Sequence, residues 1–373
     1  MKGETATQLL TDAIAAGATP GAVYITGNSG GAAAEEALGR LSYDAEAPPV
    51  TPDTIYDLAS LTKVIVTTPL AMLLYERGQL ELEAPVNVYV PEFSGNGRDD
   101  VTIADLLAHC GGLLWWTDLY KSFEGRSPAE SKRSYIERIC ELPLDYPPRS
   151  KTVYSDLGFL LLGEALERVT QSSLDPLARD EVFAPLGMNE IQYNPPQALR
   201  PRIAPTEDDE WRGCVLRGIV HDENAYGLGG IAPHAGLFST ARAIVPFARM
   251  FLNEGAWNDR RLFEPETVRR FTRRANLVAG SSRGLGWDTP ATGSSSGRLL
   301  SASSYGHTGF TGTSLWIDPE RDFFAVLLTN RVHPSRENPK LASVRPRFHD
   351  ALAEGRRPFA WGARPRADHP SDT

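Results

Sequence analysis

The stretch Asp57-Leu58-Ala59-Ser60-Leu61-Thr62-Lys63 begins the segment around which this chain is organised. Ser60 and Lys63 stand three residues apart at the start of a predicted helix, a spacing that places the hydroxyl and the amine on one face. A desolvated lysine can take the proton of a serine hydroxyl and thereby make the oxygen nucleophilic. Because a Ser-x-x-Lys pair also arises by chance, its meaning depends on the motifs that follow it.

The residues after Lys63 form a long apolar run that ends at Gly78. Because the run is apolar on nearly every side, it predicts a buried helix. Arg77 and Gly78 supply a C-terminal positive charge and a left-handed cap. Pro69 lies inside the pattern, so we expect a kink or a missing hydrogen bond there.

Composition narrows the class of protein. The chain has 373 residues, of which 41% are hydrophobic and 23% charged, with a net charge of −9. These values are typical of a soluble globular protein of one large domain or two lobes. Because the net charge is negative and the basic residues are scattered, we do not expect nucleic acid or an anionic membrane as the partner. Cys110, Cys140 and Cys214 are widely spaced, which predicts reduced thiols rather than disulfides or a zinc site.

No apolar run approaches the length of a membrane span. The first residues lack the apolar core of a signal peptide, so the sequence predicts a cytoplasmic protein if Met1 is the natural start. It carries no signature of a particular oligomeric state.

The order of the predicted elements indicates how the chain is divided. Helices are predicted at 6–16, 102–109, 131–142, 157–170, 241–255 and 264–274, and strands at 22–26, 36–43, 284–287, 303–306, 313–317 and 323–330. This order predicts a sheet lobe built from residues 1–66 and 235–363, with a mainly helical lobe at 67–234 between them. The Pro-, Asp- and Arg-rich residues 364–373 are predicted to be disordered.

Two further motifs have residue types that carry chemistry. Tyr154-Ser155-Asp156 precedes an apolar helix, where the phenol either packs at the helix entry or faces a cleft. In a cleft, cationic neighbours would favour the phenolate and let it act as a base. His307-Thr308-Gly309 precedes a strand that could bind an acyl substrate through its backbone. A backbone N–H there could pair with that of Ser60 as an oxyanion hole.

Two loops have several interpretations. Trp115 and Trp116 lie either at the edge of the core or in the wall of a cleft. The run His221-Asp222-Glu223-Asn224 could bind a metal, cap a helix or recognise a substrate amine. Adjacent side chains rarely reach one ion, so we favour a loop that lines the cleft. The remaining histidines show no partners and are interpreted as surface or packing residues: His109, His333, His349 and His369.

The order Ser-x-x-Lys, Tyr-x-Asp, His-Thr-Gly resembles the three motifs of the serine β-lactamase and penicillin-binding protein superfamily. It looks most like the class C branch, which includes carboxylesterases, D-amino-acid peptidases and muropeptide amidases. The resemblance extends from about Thr7 to Asn330. It implies the β-lactamase/transpeptidase-like α/β (α+β) fold, an antiparallel sheet flanked by helices with an inserted, mainly helical lobe.

The resemblance also implies roles for residues. Ser60 would be the acylated nucleophile, Lys63 its proton partner and Tyr154 a second base. The oxyanion and substrate-binding groups would be Phe310, His307, Thr308, Gly309, Asp156, Trp115, His221 and Glu223. His307 stands where many β-lactamases have lysine, and Asp156 stands where asparagine is usual. A histidine is a cation only when protonated, and a carboxylate cannot donate as an amide does. Efficient hydrolysis of β-lactam antibiotics is therefore not expected.

The sequence thus predicts a serine hydrolase that needs no cofactor and no metal and acts on a small ester, amide or muropeptide. A promiscuous carboxylesterase and a peptidoglycan-fragment amidase or peptidase are the two enzymatic alternatives. The segment from His221 to Ser239 resembles cell-wall-recycling amidases and small penicillin-binding proteins, which favours the second. A penicillin-binding sensor of the same fold, non-catalytic or only slowly acylated, is the alternative from another class.

Overall fold

The computed structural model describes residues 5–122 and 125–356. The helices are α1 (Ala6–Ala15), α2 (Thr68–Glu76), α3 (Ile103–Leu107), α4 (Leu119–Ser122), α5 (Pro128–Glu141), α6 (Asp156–Thr170), α7 (Leu174–Ala178), α8 (Ala184–Leu186), α9 (Glu223–Gly227), α10 (Ala241–Leu252), α11 (Pro265–Thr272) and α12 (Leu341–Ala353). The strands are β1 (Gly21–Asn28), β2 (Gly31–Gly39), β3 (Tyr56–Asp57), β4 (Ile191–Tyr193), β5 (Asp208–Asp209), β6 (Cys214–Val215), β7 (Leu237–Ser239), β8 (Ala256–Trp257), β9 (Arg260–Arg261), β10 (Tyr305–Thr308), β11 (Ser314–Asp318) and β12 (Phe323–Thr329).

The main sheet has five antiparallel strands in the order β10-β11-β12-β1-β2, so strands from both ends of the chain lie side by side. Alternation along the central strands separates two layers of core. Tyr24 pairs with Leu327 and packs with residues of α1 and α12, whereas the next pair, Val23 and Leu328, belongs to the large core on the other face. The predicted antiparallel sheet flanked by helices is confirmed.

A smaller sheet, β3-β7-β4, carries the chain into the segment that holds Ser60. Leu58 N donates to Leu237 O at 2.8 Å just beyond β3. The helices between residues 103 and 170 pack behind this segment, and α6 contacts both α3 and the turn that follows Ser60. Ser155 caps α6 by accepting a hydrogen bond from Gly158 N, so Tyr154 lies immediately before a fixed helix start.

The helix that contains Lys63 begins with a wide π-helical turn, Lys63–Thr67, and continues as α2. Pro69 follows the π turn directly and lies inside this continuous helix, where its missing N–H leaves a gap in the hydrogen-bond ladder. The expected irregularity is thus present as a π turn, a feature often found at functional sites. Gly78 has φ of +65° and forms the predicted left-handed cap.

Two strand predictions are wrong. One strand lies at different residues from those predicted, and the other predicted segment is not a strand. The second strand spans 31–39 rather than 36–43, because the Asn28 side chain accepts from Gly30 N and Gly31 N and turns the chain early. Residues 284–287 form a loop closed by a single bridge between Arg283 and Asp288. Gly286 has φ of +87° and packs against Thr68, a geometry that a strand does not allow. Residues 364–373 and His369 lie outside the described residues.

Cys110 and Cys140 are buried, Cys214 is exposed, and all three are free thiols. Within the described residues, no helix is both long enough and apolar enough to span a membrane.

Candidate active site

A cavity of about 500 Å³ opens beside Ser60, between β10 and the loops that precede α6 and α9. The structure brings the sequence-predicted site residues together around it. Lys63 is buried beneath the floor, and the other predicted residues line the cavity: Ser60, Trp115, Tyr154, Asp156, His221, Glu223, His307, Thr308, Gly309 and Phe310. Trp115 is 61% exposed, so it forms part of the cleft wall rather than of the core.

Ser60 is held in a tight turn whose geometry depends on Asp57. Ala59, directly before Ser60, has φ of +46°, a strained value for a residue with a side chain. The buried Asp57 carboxylate holds the turn by accepting from Ala59 N at 2.8 Å and from His221 N at 2.7 Å. One carboxylate therefore fixes both the nucleophile turn and the loop that faces it.

Lys63 connects Ser60 to a carboxylate. Its Nζ donates to Ser60 Oγ at 3.0 Å and to His234 O at 3.0 Å, and it lies 2.6 Å from Asp156 Oδ1. Burial lowers the pKa of Lys63, but the Asp156 carboxylate and Tyr154 raise it further, so the pKa lies above its ordinary value. Lys63 is thus an ammonium ion in the resting site, paired with Asp156.

Tyr154 lies next to this pair with its ring centroid 4.9 Å from Lys63 Nζ and 4.5 Å from the ring of His109. The phenol oxygen is buried and makes no well-formed hydrogen bond with any described residue. Burial raises the pKa of Tyr154 more than neighbouring Lys63 lowers it, so the phenol is un-ionised at neutral pH. Lys63 favours the phenolate, as expected, but desolvation outweighs this effect, so the expected phenolate base is not present in the resting site.

His307 is a neutral group. Its Nδ1–H donates to Thr308 O at 2.8 Å, which leaves Nε2 as a buried acceptor without a partner among the described residues. Burial, with the charges of Arg283 and Lys63, holds the pKa of His307 well below its ordinary value. The positive charge in the cavity comes instead from arginines that line it. Three of them make no salt bridge with any described carboxylate: Arg283, Arg331 and Arg345.

The turn after β10 is packed closely against the nucleophile turn. Thr311 Oγ1 donates to Asp57 O at 2.7 Å, and Thr313 Oγ1 donates to Leu58 O at 3.0 Å. A Cβ on Gly309 would lie 2.4 Å from Leu58 O, so only glycine allows this approach. The backbone N–H groups of Ser60 and Phe310 donate to no other described residue, as an oxyanion hole requires.

The comparisons with known proteins agree with this architecture. The family model described as Beta-lactamase matches residues 6–345. A protein of Salmonella gallinarum described as "Putative D-alanyl-D-alanine carboxypeptidase" is 36% identical over 316 residues, which are 78% of this chain and 72% of the relative. The chain belongs to the beta-lactamase family.

Solved structures show the same fold at low sequence identity. A penicillin-binding protein homolog from Caulobacter crescentus superposes with a TM-score of 0.72 at 21% identity, covering 93% of this chain and 95% of that one. EstCE1, described as a hydrolase with promiscuous acyltransferase activity, gives 0.72 at 19% identity, covering 93% and 97%. The β-lactamase/transpeptidase-like fold is therefore confirmed, and the chain is a member of a serine hydrolase family.

Within this beta-lactamase-family site, His221 and Glu223 face the cavity but are already paired. His221 Nε2 lies 2.9 Å from Glu207 Oε2, and Arg336 binds Glu223 at 2.7 Å and also Glu207. Asp222 caps α9 through Ala225 N at 2.7 Å. Within the described residues, no group of three or more His, Cys, Asp or Glu side chains is arranged to hold a metal ion. The sequence left several roles open for the loop from His221 to Asn224. The structure shows that this loop lines the cavity and caps α9.

Sequence reasoning missed several residues of the site. Asp57 is an acid three residues before the nucleophile in an otherwise apolar segment, which is a signal that could have been used. His109, interpreted as a surface or packing residue, packs on Tyr154 and accepts from Ser155 N through Nδ1 at 3.0 Å. Arg283 and Arg345 come from a loop and a helix far away in the chain, and no local pattern marks them.

Proposed function

We propose that this protein is a serine peptidase that removes the terminal residue of D-alanyl peptides from peptidoglycan fragments through an acyl-enzyme on Ser60. The observation that carries the proposal is the 3.0 Å contact between Ser60 Oγ and Lys63 Nζ at the floor of a cavity with unpaired arginines. The name of the Salmonella relatives and the predicted resemblance to muropeptide hydrolases support it.

In the first step, Ser60 Oγ attacks the carbonyl carbon of the scissile amide, and the backbone N–H groups of Ser60 and Phe310 stabilise the oxyanion. The Ser60 proton passes to Lys63 while Lys63 passes a proton to Asp156, 2.6 Å away. The C–N bond then breaks. Tyr154 donates its proton to the leaving amine. A proton then passes from Asp156 to Lys63 and from Lys63 to Tyr154, so the net result is that the amine gains the proton that Ser60 lost.

In the second step, water attacks the acyl ester, the bond to Oγ breaks and Ser60 regains a proton. Lys63 takes a proton from the water as it passes its own proton to Asp156, and Asp156 then returns a proton through Lys63 to Oγ. Peptide and water are thereby converted to a shortened peptide acid and a free amino acid.

The lining holds four arginines and four carboxylates, and it is the arginines without a salt bridge to a described residue that favour a substrate with a carboxylate. Arg345 donates to Gly309 O at 2.9 Å, next to the His-Thr-Gly strand, and its buried Nε has no partner among the described residues. Burial and Arg331 lower the pKa of Arg345 to about 10, so it is still a cation at neutral pH. A buried cation without a counter-ion is costly, and the terminal carboxylate of a peptide would neutralise it.

The test compares wild type with Ser60→Ala. Intact mass after addition of a fluorophosphonate detects the acylated serine, and D-alanine release from N-acetyl-Lys-D-Ala-D-Ala measures turnover. The same peptide with a C-terminal amide is the matched substrate without the charge. We expect labelling and release in wild type, neither in Ser60→Ala, and preference for the free acid.

Other outcomes would select the alternatives. Turnover of p-nitrophenyl esters without release of D-alanine would identify a carboxylesterase. Labelling of Ser60 without turnover of any ester, amide or muropeptide would identify a sensor. Absence of labelling would contradict the acyl-enzyme.

A further inference from the structure

A second cavity, of about 520 Å³, lies beside the first and is as large as the candidate active site. Aromatic rings connect the two. Trp115 and Trp116 line the first cavity, with ring centroids 5.8 Å apart, and Trp116 lies 6.4 Å from Tyr120, which lines the second. Tyr120 lies 4.4 Å from Trp211, and Trp211 lies 5.7 Å from Tyr226. We name these five rings the aromatic ridge.

Three of the five rings are open to solvent, whereas Tyr120, which connects them, is buried. Trp115 is 61% exposed, Trp211 37% and Tyr226 43%. Large apolar faces that stay in water within one continuous patch are a mark of binding surfaces, whereas single exposed rings need no explanation. The ridge joins two cavities, so a ligand that covers it would extend into the cavity that Ser60 lines.

The rings over the second cavity are held in place. The Arg212 guanidinium lies 5.6 Å from the ring of Trp211 and 5.1 Å from that of Tyr226. Arg212 itself is buried, binds Asp209 at 3.0 Å and donates to Val220 O at 2.7 Å. Cation–π contact with a fixed guanidinium keeps both rings in position before a ligand arrives, which lowers the entropic cost of binding.

The lining of the second cavity combines these rings with polar groups. Asn194, Ser131 and the glycine-rich backbone of residues 227–230 surround them. Asn194 Nδ2 already donates to Gly229 O at 2.7 Å, but Asn194 Oδ1 accepts no hydrogen bond from any described residue, and an acyl chain would leave it without a partner. A sugar ring matches both parts, because its C–H faces stack on aromatic rings and its hydroxyl and acetamido groups exchange hydrogen bonds with the polar rim.

We propose that the second cavity and the aromatic ridge form a saccharide subsite, which binds the amino-sugar part of a peptidoglycan fragment while its peptide reaches Ser60. This inference rests on the proposed function for its biological substrate. The subsite itself requires no catalysis, so its binding can be tested separately.

The direct test is calorimetric titration with a peptide-free disaccharide, N-acetylglucosaminyl-N-acetylmuramic acid. Wild type and Ser60→Ala are expected to bind it, and Trp211→Ala and Tyr226→Ala to weaken binding about tenfold or more, the loss of one stacking contact. Tyr43→Ala is the matched control, because Tyr43 is an equally exposed tyrosine, 46% accessible, that stacks on His333 away from both cavities. It is expected to bind as wild type does.

A second measurement compares kcat/KM for the same stem peptide with and without the disaccharide. We expect wild type to prefer the glycosylated peptide and Trp211→Ala to lose that preference. Disaccharide binding without D-alanine release would support the subsite and contradict the proposed peptidase. D-alanine release without disaccharide binding would support the proposed peptidase and contradict the saccharide subsite. Binding of octanoate or of the free stem peptide at the ridge in place of the disaccharide, abolished by Trp211→Ala, would overturn the saccharide assignment.

Discussion

Asp156 Oδ1 lies 2.6 Å from Lys63 Nζ, and this contact decides where the proton of Ser60 can go. In Asp156→Asn the relay loses its acceptor, and Lys63 must be a free amine before it can take a proton. We expect kcat/KM near neutral pH to fall by about 100-fold, in the usual range for a lost general base. The remaining activity should rise with pH as Lys63 loses its proton, and this rise should lie below the ordinary lysine pKa, since burial lowers the pKa of Lys63 and Asp156 no longer raises it.

The measurement is the pH profile of kcat/KM for a p-nitrophenyl ester. Asp118→Asn provides the matched control, because Asp118 forms an exposed pair with Lys121 at 3.1 Å and does not line the candidate active site. A profile for Asp156→Asn that is lower than wild type at every pH but unshifted would show a structural role only and contradict the relay.

At the scale of residues, the sequence identified functional residues where these belong to a recognisable motif. Ser60 and Lys63 were predicted from their spacing and Tyr154 from the resemblance to the superfamily, and the structure places the three together. The ionisation of Tyr154 was not predictable, because it depends on burial by residues such as His109 and not on the motif. Arg345 was missed because its position beside Gly309 exists only after α12 has packed on the sheet.

At the scale of elements, the turn from residue 57 to residue 60 depends on a single carboxylate. In Asp57→Asn, an amide N–H₂ replaces one oxygen and faces the N–H of Ala59 or of His221. Two donors then oppose each other in a buried place. We expect the free energy of unfolding to fall by about 1–3 kcal/mol, the cost of an unsatisfied buried group. We also expect kcat to fall, since the strained turn at Ala59 loses its support.

Urea unfolding and ester turnover measure the two effects. Asp53→Asn is the control, because Asp53 pairs with Arg242 at an exposed position and should change stability by only a few tenths of a kcal/mol, roughly. Unchanged stability and turnover in Asp57→Asn would show that the turn does not depend on the carboxylate.

Helices and strands with a marked apolar pattern were predictable from the sequence. Segments whose conformation depends on tertiary packing were not. The apolar runs of β1 and β12 appear in the sequence because these strands are buried on both faces, and α6 is apolar because it packs against the core. The loop 284–287 has a strand-like sequence, but Gly286 is needed for close contact with Thr68. The π turn at Lys63–Thr67 follows from tertiary packing, and only Pro69 indicated an irregularity.

At the scale of the whole molecule, the fold buries neutral histidines in several places. Burial holds the pKa of His109 and His307 well below the ordinary value and lowers that of His349 to about 4. In the unfolded chain each histidine would titrate near 6.5, roughly. As the pH falls below that value, these histidines bind protons in the unfolded state but stay neutral in the folded state. These residues therefore stabilise the fold above pH ~6.5 and lose that contribution as pH falls towards the folded pKa.

His349→Gln tests this account at one site. The glutamine amide can still donate to Ser295 O, which His349 Nδ1 contacts at 2.7 Å, but it cannot be protonated. Between pH 7 and pH 5 wild type should lose about 2 kcal/mol more of its free energy of unfolding than the variant does, since pH 5 lies roughly 1.5 units below the unfolded pKa. Carboxylates titrate alike in both proteins, so the difference isolates the histidine. Urea unfolding at the two pH values gives the result, and parallel losses would mean that His349 takes up its proton equally in both states.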